Sequence, residues 1–260
     1  MKIFYYLAGM VFLMSSAPAF SIGGNEVMQK ALQAFYYQGH DQRANAHMEI
    51  IDKQGRKRIR EFISLRLNLD NDGGKQKYYV YFNKPSDVKK MVFMAWKNVE
   101  QEDDRWLYLP ALDLVKRIAA SDDRTSFVGS NFFYEDVSGR SLDEDVHQIS
   151  EETDQYYIIK SQPKKPDSVE FTHYQIWVDK KTFLPMKIDY YNKDVIYRHY
   201  ETLEIKNIDG HVTVVKAQME DKRTGGKTII SYSSVKYSQD IPDDIFSERY
   251  LRKPPKKYLK

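Results

Sequence analysis

Apolar and polar residues alternate along most of this chain, in runs of six to ten residues broken by turn residues. Ala44, Ala46, Met48 and Ile50 alternate with Arg43, Asn45, His47 and Glu49, and Lys53-Gln54-Gly55 breaks the run as a hairpin turn. Ile59, Ile63, Leu65 and Leu67 resume the apolar face. Asn68–Gly74 is the next turn, followed by Tyr78–Phe82. Lys90–Trp96 is apolar on both faces, as in a strand covered on both sides. The rhythm returns at Phe171–Val178, Leu184–Tyr190, Tyr197–Ile205, Val212–Met219 and Thr228–Tyr237. Asp179-Lys180, Asn192-Lys193-Asp194, Asp209-Gly210 and Thr224-Gly225-Gly226 punctuate these runs. Only Asn25–Tyr37 has helical spacing, with Val27, Ala31, Ala34 and Phe35 on one stripe and Gly39 beyond its end. Ala119–Glu152 is polar, rich in Asp and Ser, and reads as loops with short helical turns. The expectation is a mainly β (α+β) fold: an antiparallel meander curling into a barrel or a strongly bent sheet.

The first residues follow a different logic. Met1-Lys2 supplies a positive start and Ile3–Met14 an uncharged apolar run. Ser15–Ser21 then offers small residues for cleavage after Ala19 or Ser21. The run is shorter than the ~20 residues that span a bilayer, so residues 1–21 read as a cleaved signal peptide and not an anchor. Export to the periplasm is expected, with no lipid-attaching cysteine, since the chain has no Cys. About 239 residues remain. With no interdomain linker or larger repeat, 22–248 is expected to be one domain.

A net charge of +3 exerts no global pull towards nucleic acid. The exception is the tail, 249–260, where Arg249, Arg252, Lys253, Lys256, Lys257 and Lys260 face no acid. Pro254-Pro255 interrupts any helix, so the tail is expected to be mobile, with a possible peripheral contact on anionic membrane. The 20 Tyr and 13 Phe suit pleated, half-buried surfaces.

Catalytic sets are hard to find. The six histidines, at 40, 47, 147, 173, 199 and 211, have no zinc-like spacing, and no Gly-x-Ser-x-Gly elbow occurs. Asn68-x-Asp70-x-Asp72-Gly73 opens like a calcium loop, but its twelfth position is Tyr79 instead of Glu, and strands flank it. Glu135-Asp136 and Asp143-Glu144-Asp145 suit solvated or capping roles better than acid–base pairs, because adjacent carboxylates point apart. No cofactor or metal is expected. Phe127, Phe132 and Phe133 stand in a polar loop after the strand around Trp106–Leu109 and must bury against something: the core itself, or a ligand cavity they cover.

Trp106-Leu107-Tyr108-Leu109-Pro110, then Arg117-Ile118, Gly129-Ser130 and Phe133-Tyr134-Glu135-Asp136, resembles the signature of the LolA-like outer-membrane lipoprotein-sorting proteins, in particular the larger periplasmic branch. Trp177-Val178-Asp179 and Leu184-Pro185 resemble that family's later hairpin. Asn131 stands where many members carry Asp. The resemblance implies a half-open antiparallel β-barrel whose concave side is closed by helices and loops. It also implies a cavity for lipid or lipoprotein acyl chains and partnership with an inner-membrane transporter of the RND type. The cavity-lining candidates are Met91, Phe93, Trp96, Trp106, Tyr108, Phe127, Phe132 and Phe133, with Val92 and Met94 on the other side of their strand. The rival functions are a sensor or regulatory barrel that does not transport, and an envelope-lipid hydrolase using Asp136 with His147 or His173.

Overall fold

In the computed structural model, residues 22–70, 74–99, 101–119 and 122–260 are described. The expected signal peptide and the tip of the Asn68–Gly74 turn lie outside them. A helix, α1 (Gly24–Tyr36), leads into six strands: β1 (Asp41–Ile51), β2 (Lys57–Asn68), β3 (Gln76–Lys84), β4 (Val92–Lys97), β5 (Asp104–Leu109) and β6 (Leu114–Ile118). A covering segment with the short helix α2 (Tyr134–Ser138) follows. Then come β7 (Asp145–Glu152), β8 (Tyr156–Pro163), β9 (His173–Asp179), β10 (Pro185–Asn192), β11 (Val195–Ile208), β12 (His211–Asp221) and β13 (Gly226–Tyr237). The last helix is α3 (Glu248–Arg252).

The thirteen strands of the described residues form one antiparallel sheet, running β6 to β1, then β13 down to β7. Neighbours in sequence are neighbours in space, except that β1 pairs with β13 and joins the two meanders. The ends, β6 and β7, do not pair, so the barrel is half open. Register shifts at Arg43/Asn45, Ile149/Glu151, Tyr190/Tyr191 and Thr202/Ile205 bend the strands. An extra residue on one strand of a pair increases local twist and lets a wide sheet curl.

Period two divides the apolar residues between two faces. Met48, Phe62, Val80, Phe82 and Phe93 project to the concave side, where Phe127, Phe132 and Tyr134 of the covering segment pack on them. Their neighbours Ile63, Leu65, Tyr79, Val92 and Met94 project to the convex side. Further along the sheet, α1 buries Val27, Met28 and Ala31 against Ile159, Ile176 and Val178.

The convex face needs its own cover, and the C-terminal chain supplies it. Ile241, Ile245, Phe246 and Leu251 pack on β2–β4. The Tyr79 hydroxyl donates to Tyr250 O at 2.7 Å and Trp96 Nε1 donates to Phe246 O at 2.9 Å. Arg43 Nε reaches Tyr258 O at 3.0 Å. The tail expected to be mobile is therefore docked. Its charges lie outward, while Leu251, Pro255, Tyr258 and Leu259 turn inward over an apolar surface that would otherwise face water.

Strand β7 corrects the reading of the end of Ala119–Glu152 as loop. In β7 the polar Asp145 and His147 are buried while Val146 is 46% exposed, the reverse of the usual pattern.

Candidate functional site

Between the concave face, α1 and the covering segment lies a cavity of about 190 Å³. Met48, Phe62, Ala217, Met219 and Ile230 line it from the sheet, Phe127, Phe132 and Val137 from the cover, and Ala34 and Phe35 from α1. The Phe127 ring meets Phe62, Phe82, Phe93 and Tyr134 at centroid distances of 5.4–6.4 Å. These tilted and edge-on contacts fix the cover on the sheet.

One end of the cavity is polar, and Arg66 there joins Gln76 and Asn68 behind it in holding the C-terminus of α1. A helix leaves its last carbonyls without partners inside the helix. The buried Arg66 donates to Tyr36 O and Gln38 O, Gln76 Nε2 to Tyr36 O at 2.7 Å, and Asn68 Nδ2 to Tyr37 O at 2.9 Å. Burial lowers the Arg66 pKa, and burial raises those of Tyr36 and Tyr78 beside it, so the phenols stay neutral.

The cover is fastened by ion pairs. Arg124 pairs with Glu135 and, through Nε at 2.6 Å and Nη2 at 2.8 Å, with Glu170. Arg140 binds Asp145 at 2.9 and 3.0 Å and Glu135 at 2.9 Å. Burial disfavours ionised Glu135, but Arg124 and Arg140 outweigh it and hold the carboxyl below its ordinary range. Burial likewise opposes ionised Glu170, and the Arg124 hydrogen bonds bring it down to about 2. Arg198, fully buried, pairs with Asp136 and donates to Asn131 O at 2.9 Å. Asp136 also accepts the Phe133 N–H at 2.6 Å, capping α2, so Glu135 and Asp136 are fasteners and not solvated acids. Asn131 exchanges hydrogen bonds with Thr228, its N–H donating to Oγ1 and its Oδ1 accepting from it, both at 2.9 Å.

Of the eight candidates, Phe127 and Phe132 line the cavity. Phe93 and Met91 pack in the same concave cluster without reaching it. Phe133 faces away, between the guanidinium groups of Arg124 and Arg198. Trp96, Trp106 and Tyr108 lie on the convex face, Trp96 and Trp106 edge to face at 5.1 Å. The parity of the strands accounts for this: Phe93 and Trp96 are an odd number of residues apart and must point oppositely. The cavity residues that sequence reasoning missed, Met48, Ala217, Met219 and Ile230, belong to strands it did recognise. Their alternation placed them on one face, but only the closure of β1 on β13 shows which face is concave.

The residues of the rival hydrolase each have other partners. Asp136 is held by Arg198. The His147 ring sits between Ser161 Oγ at 2.7 Å and Leu142 O at 3.1 Å, and His173 stacks on Tyr191 at 4.5 Å. Among the described residues no group of three or more His, Cys, Asp or Glu could hold a metal ion, and no helix is long and apolar enough to cross a membrane.

A family whose description reads "uncharacterized protein" matches over residues 74–253, more than half of the chain. A DUF1329 family protein from Desulfovibrio piger has a solved structure that is 29% identical, with TM-score 0.80, covering 88% of this chain and 97% of that one. A putative outer membrane lipoprotein-sorting protein domain from Vibrio parahaemolyticus is 25% identical, with TM-score 0.78 and coverage of 88% and 98%. The chain belongs to the LolA-like family. A LolA superfamily protein from Nitrosomonas europaea, 18% identical with TM-score 0.67 over 88% of this chain and 100% of that one, shares the fold. No curated protein matches. The half-open curved sheet expected from the Trp106–Pro110 and Phe133–Asp136 motifs is the fold of this LolA-like chain.

Proposed function

We propose that this LolA-like protein is a periplasmic carrier that binds the acyl chain of a lipid or lipoprotein in the cavity beneath α1 and the cover, and exchanges it with an inner-membrane transporter of the RND type. The observation that carries the reading is the cavity itself: an apolar space at the centre of the concave face, walled by Met48, Ala217, Met219 and Ile230 and roofed by Phe127 and Phe132. Each CH₂ brought from water into such surroundings contributes about 0.8 kcal/mol, so chain binding needs no catalytic group. At about 190 Å³ the cavity is smaller than the roughly 300–1,000 Å³ usual for a ligand pocket. A full chain therefore enters as the cover yields. Opening lifts Phe127 and Phe132 from the sheet and parts the ion pairs of Arg124 and Arg198. The neighbour described as a lipoprotein-sorting domain supports the cargo class, and the leader-like residues 1–21 support the compartment.

The test is to fill the space. Ala217 is buried at the cavity wall, and Ala217→Phe places a ring where the chain would lie. A folded Ala217→Phe protein should lose uptake of a fluorescent fatty-acid probe that the parent chain takes up. Equal uptake by both would remove the cavity from the account.

A further inference from the structure

A second, larger hollow, about 590 Å³, lies on the other side of α1. Gln29, Leu32 and Gln33 of the helix form one wall, residues 138–145 another, and Lys97, Asn98 and Val99 at the end of β4 the floor. Where the inner cavity is mainly apolar, with Arg66 and Asp136 at its polar end, this groove carries Lys97, Arg140, Asp143, Asp145, Asp70 and Lys164. Tyr36 lines both spaces. Its hydroxyl donates to Asp136 O at 3.1 Å, and its ring lies 2.9 Å from where a Cβ would sit on Gly139, whose φ is +78°. The Tyr36 side chain, leaning on a glycine that has no room for another residue, thus borders both the apolar chamber and the polar one.

Three of these six charges are already matched. Arg140 and Asp145 bind each other twice, and the Asp70 carboxylate accepts the Gly74 and Lys75 N–H groups of its own turn. Lys97 is different. Its side chain is 6% exposed, and its ammonium donates at 2.8 Å to Gly139 O and at 3.4 Å to Ser141 Oγ. Its nearest carboxylate is Asp103 at 3.9 Å, and Asp103 is engaged at 2.8 Å by Arg105. A buried ammonium has three donors and needs a counter-charge in contact. Lys97 has a carbonyl and a distant hydroxyl instead, at the floor of a hollow open to a ligand.

We propose that this groove holds the anionic head group of the amphiphile whose chain occupies the inner cavity, with Lys97 as its counter-charge and Tyr36 as the threshold between the two. The proposal rests on the carrier reading and adds to it the chemistry of the cargo: a long chain ending in a carboxylate or phosphate. A neutral amphiphile would leave the Lys97 charge as poorly matched as it is in the empty groove. Burial accordingly lowers the Lys97 pKa, and a bound anion would reverse that shift.

Two chain-matched probes test this on the intact protein, a long-chain fatty carboxylate and the fatty alcohol of equal length. The native chain should bind the carboxylate about tenfold more tightly, equivalent to roughly 1.4 kcal/mol. Lys97→Met should bind both equally, at the level of the alcohol. A second measurement needs no variant: a photoreactive group beside the probe's carboxylate should label residues 138–145 or 97–99 of the native protein. Equal affinity of the native chain for both probes, an undiminished preference in Lys97→Met, or labelling elsewhere would overturn the head-group site while leaving the carrier reading intact. Failure of the native chain to bind either probe would overturn both.

Discussion

The guanidinium of Arg198 lies 3.7 Å from the centre of the Phe133 ring, pressed on it from a fully buried position while pairing with Asp136. The strand β11 thus grips the covering segment at two adjacent points, through the face of an aromatic ring and through a carboxylate. Breaking one partner of a buried ion pair typically costs about 3–5 kcal/mol, because the other charge is left buried and unmatched. Asp136→Asn should therefore lower the urea midpoint markedly, and Arg198→Met should do less harm, since it removes the charge that most needs a partner. Equal and small effects would show that the cover is held by its phenylalanines alone.

Two acids, Glu170 and Asp123 (the latter 3.9 Å from Arg105), make stability depend on pH in opposite ways. Glu170 titrates at about 2 in the folded chain against an ordinary 4.5, so its contribution is present above 4.5 and is lost as pH falls towards 2. Asp123 is raised by burial, and then by Glu135, from 3.8 to about 6. Its contribution is present below 3.8 and is lost as pH rises through 6. Asp123→Asn should therefore leave the melting temperature lower or unchanged near pH 4, raise it above pH 6, and flatten the profile between. A variant profile parallel to the native one would contradict this assignment.

On the convex side, Leu251 is completely buried. Leu251→Ala should cost about 2–5 kcal/mol, the range for buried leucines, and truncation at Ser247 should cost more. Thermal melts decide it. A truncated chain that melts with the full one would mean that the basic segment contributes nothing to the fold.

The two aromatic groups that sequence reasoning joined should separate under mutation. Phe132→Ala, at the cavity wall, should change the affinity for a fatty-acid probe per folded molecule. Trp106→Ala, on the far face, should lower stability and leave that affinity alone. A binding curve and a melt for each variant distinguish them, and loss of affinity in Trp106→Ala would mean that the convex face takes part in binding.

What was legible in the sequence was whatever period two and turn chemistry encode. The hairpin strands around Lys53-Gln54-Gly55, Asp209-Gly210 and Thr224-Gly225 stand where alternation put them, and Asn25–Tyr37 is helical to within a residue. Alternation says that Phe93 and Trp96 face opposite ways but not which way is inward. That is settled by the pairing of Glu49 with Ile229 and its neighbours across β1 and β13, a contact about 180 residues apart along the chain. The docked tail was obscured by its charges: six Lys and Arg residues hid the Leu251, Tyr258 and Leu259 that hold it down. In β7 the inward side chains are polar because they meet Arg140, Ser161 and Tyr174, and no local pattern reveals the last two, 14 and 29 residues away from their partners.

The central claim is that an acyl chain occupies the space between Met48, Ala217 and Phe132. Native mass spectrometry of the protein purified from a bacterial envelope, followed by lipid extraction, tests it most directly. The account predicts one long-chain amphiphile per protein molecule, its occupancy abolished in Ala217→Phe. A protein of bare chain mass that also refuses a saturating long-chain amphiphile would contradict it.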